Sequence, residues 1–202
     1  MIEVERTFLL TNEVERRLLD GATARGTVTM TDSYYDKPTY EVSLRDEWLR
    51  NRNGHWELKV PRRTEAAQRG VDLYDELDDE AAIREHLGLP KGAALRDALT
   101  AAGYVPFATV VTTRRKFEKG GFHIDLDDVD FGYRVGEVEL MANDDTGAAA
   151  ASKRVDDFCD LHGIPRGYVR GKVVEFMRRS RPELYQRLAA VGIISSQEAM
   201  QA

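Results

Sequence analysis

Apolar and polar residues alternate with a period of two along much of this chain, the spacing of strands that bury one face and wet the other. Such stretches fall at 2–9, 26–35, 42–50, 55–61, 70–76, 107–118, 121–127 and 133–141. Three of the joints between them have the composition of tight hairpins. Asn53-Gly54 lies between two strand patterns, the pairing that a type I′ turn prefers. Gly120-Gly121 divides two more, and Gly132 marks a third tip in "DVDFGYRVGEVEL". Elsewhere the period lengthens to that of a helix. "TNEVERRLLDG" carries Asn12 with Glu15 three residues on, which predicts a capping box, and Gly21 as the stop. Helices are also predicted in "DDEAAIREHLGL", "GAALRDALTAAG", "TGAAAASKRVDDFCDLHG" and "YVRGKVVEFMRRSRPELYQRLAAV", the last broken before Pro182. With no repeat or linker between them, these elements predict a single α+β domain over 1–193 and a flexible tail over 194–202.

The polar faces of the strands are unusual in kind. Residues i and i+2 of a strand share a face. By that rule Glu3 pairs with Glu5, Asp125 with Asp127, and Glu137 with Glu139. Arg50 and Arg52 share a face with Trp48, Glu57 shares one with Lys59, and Arg114 lies mid-strand in "VVTTRRKF". Taken singly, each pair reads as the solvated side of an antiparallel sheet. Taken together they do not, because solvated faces mix Ser, Thr, Lys and Gln with single acids. Two carboxylates ~6.5 Å apart repel by roughly 2.5 kcal/mol at an effective dielectric near 20. Three such pairs gathered in one space would drive up their own pKa values unless a cation joined them. Hard divalent cations take such oxygen ligands, and arginine and lysine facing them would grip a polyanion. The pattern therefore predicts a closed antiparallel β-barrel with a polar interior and helices packed outside. Closure also removes the exposed sheet edges.

Composition narrows the classes. Of 202 residues, 42% are hydrophobic and 32% charged, with a formal net charge of −6, against the basic surface that nucleic-acid binding calls for. No apolar run reaches the ~20 residues of a membrane span. Cys159 is the only cysteine, which excludes an intrachain disulfide and agrees with a reducing, cytoplasmic location. The four histidines have no metal-ligand spacing, and no Ser/His/Asp order or phosphate-cradling glycine loop is present.

"IEVERTF" resembles the Glu-x-Glu-x-Lys signature of the CYTH group, the triphosphate tunnel metalloenzymes. "DSYYDKP", "EWLRNR", "WELKVP", "VDLYDEL", "HIDLDDVDFGYRVGEVEL" and "FMRRSRPELYQRLAAV" extend the resemblance over nearly the whole chain. The resemblance implies a closed barrel that hydrolyses the terminal phosphate of an organic triphosphate, thiamine triphosphate, with magnesium (manganese as the alternative ion). Inorganic tripolyphosphate hydrolysis and non-catalytic polyphosphate binding are the rival readings. The expected partner is the small-molecule triphosphate; charge and hydropathy predict no nucleic-acid or membrane partner, and a monomer is expected. Carried over position by position, the metal ligands are Glu3, Glu5, Asp125, Glu137 and Glu139. The substrate-binding residues are Trp48, Arg50, Arg52, Lys59, Glu76, Arg114, Asp125, Glu137 and Lys172, with Trp48 against the head group. Glu137, Arg52 and Lys59 are the expected catalytic groups. One departure stands out: Thr7 occupies the signature lysine position, and Arg6 points to the other face. A missing charged hydrogen bond predicts weaker triphosphate binding, by up to about a hundredfold.

Overall fold

The structure, a computed structural model, describes residues 2–62, 72–165, 167 and 169–194. Its strands are β1 (Ile2–Leu9), β2 (Thr23–Asp36), β3 (Trp48–Arg52), β4 (His55–Pro61), β5 (Asp72–Leu77), β6 (Val105–Lys119), β7 (Phe122–Val129) and β8 (Tyr133–Ala142). They close into one antiparallel barrel in the order β1-β5-β4-β3-β2-β6-β7-β8. The helices among the described residues are α1 (Asn12–Leu19), α2 (Glu80–Leu87), α3 (Leu95–Ala101), α4 (Asp145–Leu161), α5 (Lys172–Ser180) and α6 (Pro182–Ala190). None is long and apolar enough to cross a membrane. The chain divides into two compact units, one of residues 1–30, 61–75 and 111–172, the other of 31–60, 76–110 and 173–202.

In the first unit, one face of β1, β7 and β8 supplies Ile2, Val4, Phe8, Phe122, Ile124, Leu126, Val138 and Leu140 to a continuous core. Helix α4 covers that face with Ala148, Ala151, Val155, Phe158 and Cys159, which recur at helical spacing, and α1 adds Val14 and Leu18. Phe8 lies opposite Gly136 in the β1–β8 register, and its ring fills the space where a side chain at 136 would stand: an added Cβ would meet the ring at 2.1 Å. The glycine of "VGEVE" is thus a packing requirement. Arg6 is on this covered face too, 2% exposed and paired with Asp156 of α4. In the second unit Leu49, Trp56 and Leu58 pack against Ile83, Leu95, Ala98 and Leu99 of α2 and α3.

Several local expectations shift. The first helix is capped by Thr11, whose Oγ1 accepts from the Val14 amide at 3.2 Å, and not by Asn12. The strand expected over 42–50 is interrupted: Ser43–Arg45 form a 3₁₀ turn, Asp46 takes a left-handed conformation (φ 65°), and β3 starts at Trp48. The buried Asp36 carboxylate stabilises this turn by accepting from the Val42 and Ser43 amides and the Ser43 hydroxyl. The Asn53-Gly54 turn has both residues at positive φ, 49° and 98°, as a type I′ hairpin requires. Residues 70–71, the expected start of the fifth strand, and 195–202 of the expected tail lie outside the described residues, as does Tyr168. Ile194 is buried.

Candidate active site

In the first unit the strand faces turned away from α1 and α4 carry the acids predicted from the sequence. The antiparallel register stacks them into rows. Asp125 of β7 lies opposite Glu137 of β8, which lies opposite Thr7 of β1; one pleat along, His123, Glu139 and Glu5 make the next row. Two sets of three carboxylates approach closely enough to share an ion: Glu3, Glu5 and Glu139, and Asp125, Glu137 and Glu139, with one oxygen from each member of a set within 4.8 Å of the others. Glu139 belongs to both. Adjacent oxygens around a six-coordinate magnesium-sized ion are ~3 Å apart, a distance that small side-chain rotations reach from here. The donor set is all carboxylate, which suits a hard divalent cation and disfavours a thiophilic one.

Two cations are built into the same cluster. Arg114 of β6 grips Asp127 bidentately, Nε to Oδ1 at 2.7 Å and Nη2 to Oδ2 at 2.7 Å, and also donates to Asp125 and Glu137. Lys172, at the start of α5, donates to Asp127 and reaches Glu137 Oε1 at 3.4 Å. Its approach is tied down by the Tyr133 hydroxyl, which donates to the Arg170 carbonyl at 2.7 Å. Burial opposes the charge on Arg114, but Glu137, Asp127 and Asp125 outweigh it and hold the guanidinium well above its usual pKa.

Lys116 of β6 adds a third positive group, 4.0 Å from Asp125. Among the described residues Glu3, Glu5, Asp125, Asp127, Glu137 and Glu139 crowd together around these groups. The crowding and burial appear as displaced titration. Burial, with Glu137, Glu3 and Asp125 as neighbours, pushes Glu139 up to about 8. Burial also raises Asp125, outweighing the attraction of Arg114. Such shifts mark buried carboxylates held close together, a setting frequent at functional sites.

The second unit holds a different cluster, in which arginines and a lysine lie against acids. Arg52 forks onto Asp32, Nε to Oδ1 at 2.7 Å and Nη2 to Oδ2 at 3.0 Å. Arg50 donates through Nε to Glu57 Oε2 at 2.8 Å, with Asp32 3.9 Å away. Lys59 is 3.4 Å from Glu76. Trp48 stands on the same strand face, 7% exposed, with its indole N–H donating to Asp46 at 3.2 Å. Each predicted cation of this unit therefore has an acid that fixes its direction. Burial opposes ionisation of Glu57, but Arg50 and Arg52 outweigh it and lower the carboxyl.

The predicted residues thus resolve into two groups. Glu3, Glu5, Asp125, Glu137, Glu139, Arg114 and Lys172 converge in the first unit. Trp48, Arg50, Arg52, Lys59 and Glu76 lie in the second. The residues missed as site groups are Asp127, Asp32, Glu57 and Lys116. Asp127 and Glu57 were visible as strand-face partners. Asp32 and Lys116 become legible only once the register is known.

A family model for the CYTH domain matches residues 1–166. The chain belongs to the CYTH family. It is 34% identical to a thiamine-triphosphatase of Macaca fascicularis and 33% identical to one of Homo sapiens, in each case over 100% of this chain and 94% of the relative. Among solved structures, a protein of Pyrococcus horikoshii OT3 superposes with a TM-score of 0.63 at 22% identity, covering 89% of this chain and 99% of that one, which supports the fold alone.

Proposed function

We propose that this protein hydrolyses the terminal phosphoanhydride bond of thiamine triphosphate, releasing thiamine diphosphate and phosphate, with magnesium as the cofactor. The observation that carries the reading is the gathering of Glu3, Glu5, Asp125, Glu137 and Glu139 into two carboxylate sets able to share an ion, in a chain one-third identical over its full length to thiamine-triphosphatases. Glu3, Glu5, Asp125, Glu137 and Glu139 would hold the cation. A bound divalent ion supplies charge neutralisation at phosphoryl oxygens and an acidified water.

The protein groups divide the remaining work. Arg114 and Lys172 are already held among acids, so a phosphoryl group entering beside them meets positive charge whose position is set before charge spreads onto its oxygens. Arg50, Arg52 and Lys59 of the second unit would serve as phosphate-binding cations, with Asp32 and Glu57 holding the two guanidinium groups in place. On this reading Glu137, bonded to Arg114 and Lys172, would orient the attacking water. Trp48 offers a ring to the thiamine head group on the strand face that carries the arginines, and its link to Asp46 fixes the ring plane. That ring favours an organic substrate over bare tripolyphosphate, which has nothing to stack on it.

Phosphate release from thiamine triphosphate, tripolyphosphate and ATP, run in parallel with and without magnesium, tests the proposal. The expected result is metal-dependent release with the highest kcat/KM for thiamine triphosphate. A preference for tripolyphosphate moves the assignment to that substrate, and inertness towards all three with retained binding makes the chain a polyphosphate-binding protein.

A further inference from the structure

Lys116 has the setting of a ligand-binding cation. It follows Arg114 by two residues on β6, so both share the polar face. The register places Lys116 opposite Asp125, Asp125 opposite Glu137, and Glu137 opposite Thr7, one unbroken row across β6, β7, β8 and β1. Thr7, the neutral residue at the signature lysine position, is one end of that row, and Lys116 is the other. The two cations already described in this cluster are engaged: Arg114 and Lys172 have side chains 8% and 6% exposed and donate directly to carboxylates. The Lys116 side chain is 49% exposed, and its ion pair with Asp125 stretches to 4.0 Å, too long for a hydrogen bond. Asp125 meanwhile accepts from Arg114. A flexible ammonium is therefore drawn towards the acids by charge without being fixed there.

We propose that Lys116 is a substrate-binding residue that supplies, from the far end of the row, the phosphate-facing cation that Thr7 lacks. The inference rests on the triphosphate reading of this site. It changes the consequence expected of Thr7: the charge is relocated by three strands and not lost.

The test is equilibrium binding of inorganic tripolyphosphate to metal-free protein by calorimetry, alongside KM and kcat for thiamine triphosphate with magnesium. Lys116→Ala should weaken tripolyphosphate binding about ten- to hundredfold, the range of a charged hydrogen bond. Lys116→Arg should retain most of it. Adding Thr7→Lys to Lys116→Ala should restore binding to within about threefold, and its gain there should exceed its gain in the wild type. Because Lys116 is half exposed, Lys116→Ala and Lys116→Arg should keep the wild-type thermal midpoint. Wild-type-like binding by Lys116→Ala overturns the proposal, as does a loss that Thr7→Lys leaves unrepaired, or a wild type that does not bind tripolyphosphate. The two readings fail separately. Absent turnover with the binding pattern intact sinks only the thiamine triphosphatase assignment. Normal turnover with indifferent binding by Lys116→Ala sinks only the role of Lys116.

Discussion

The burial and crowding of carboxylates in the first unit should appear as a pH dependence of folding that one substitution removes. Glu139 titrates near 8 in the folded, metal-free protein against an ordinary value of 4.5, because burial and then Glu137, Glu3 and Asp125 oppose its charge. Between those two values the folded form holds a proton that the unfolded chain has released. Stability contributed by the protonated carboxyl is therefore complete below pH 4.5 and declines as pH rises, at about 1.4 kcal/mol for each pH step of one, until it levels off near 8. By pH 7 the decline from this group reaches roughly 3 kcal/mol. Glu139→Gln keeps the shape of the side chain and removes the titration. Urea unfolding of chelator-treated wild type and variant at pH 4.5, 6, 7 and 8 measures the difference. The variant should match the wild type at the lowest pH and exceed it by an amount that grows to a few kcal/mol at neutral pH. Parallel curves would show that Glu139 ionises freely, and the crowding inferred for the cluster would be wrong.

Three further expectations concern the face covered by α4. Gly136→Ala puts a methyl group into the buried ring of Phe8, so overpacking should cost about 1–3 kcal/mol in urea unfolding; a neutral effect would mean the ring has room to move. Asp156→Asn leaves Arg6 buried without its counter-charge, a loss of about 3–5 kcal/mol, whereas Arg6→Met with Asp156→Leu should recover most of it; equal stability of Asp156→Asn and wild type would contradict the pairing. Burial pushes the Cys159 thiol up to about 11, so an aromatic disulfide reagent at pH 8 should label it only as fast as the protein unfolds, and fast labelling of native protein would refute that burial.

Much of the barrel was legible because its strands obey a period of two and its turns use residues suited to their backbone. Glu3 and Glu5, Asp125 and Asp127, and Glu137 and Glu139 announced a shared polar face from spacing alone. What spacing could not supply was register. The rows Lys116–Asp125–Glu137–Thr7 and His123–Glu139–Glu5 arise from pairing between strands far apart in sequence. For the same reason Asp32 went unnoticed until its place opposite Arg52 was known. The interruption at 43–47 was hidden because Val42, Leu49 and Trp48 imitate a strand pattern, while the turn is held by the distant Asp36 carboxylate. At the first helix both Thr11 and Asn12 have capping side chains; local chemistry did not choose between them, and the backbone did, with Thr11 extended (φ −96°, ψ 156°).

The central claim, that these carboxylates hold a divalent cation, is tested most directly by titrating Mn2+ into chelator-stripped wild type and Glu139→Gln at pH 7 and following free ion by electron paramagnetic resonance. The structure predicts saturable binding to the wild type and its loss, by at least tenfold in affinity, when the glutamate shared by both carboxylate sets is neutralised. Indistinguishable binding curves for the two proteins, or no saturable binding to either, would contradict it.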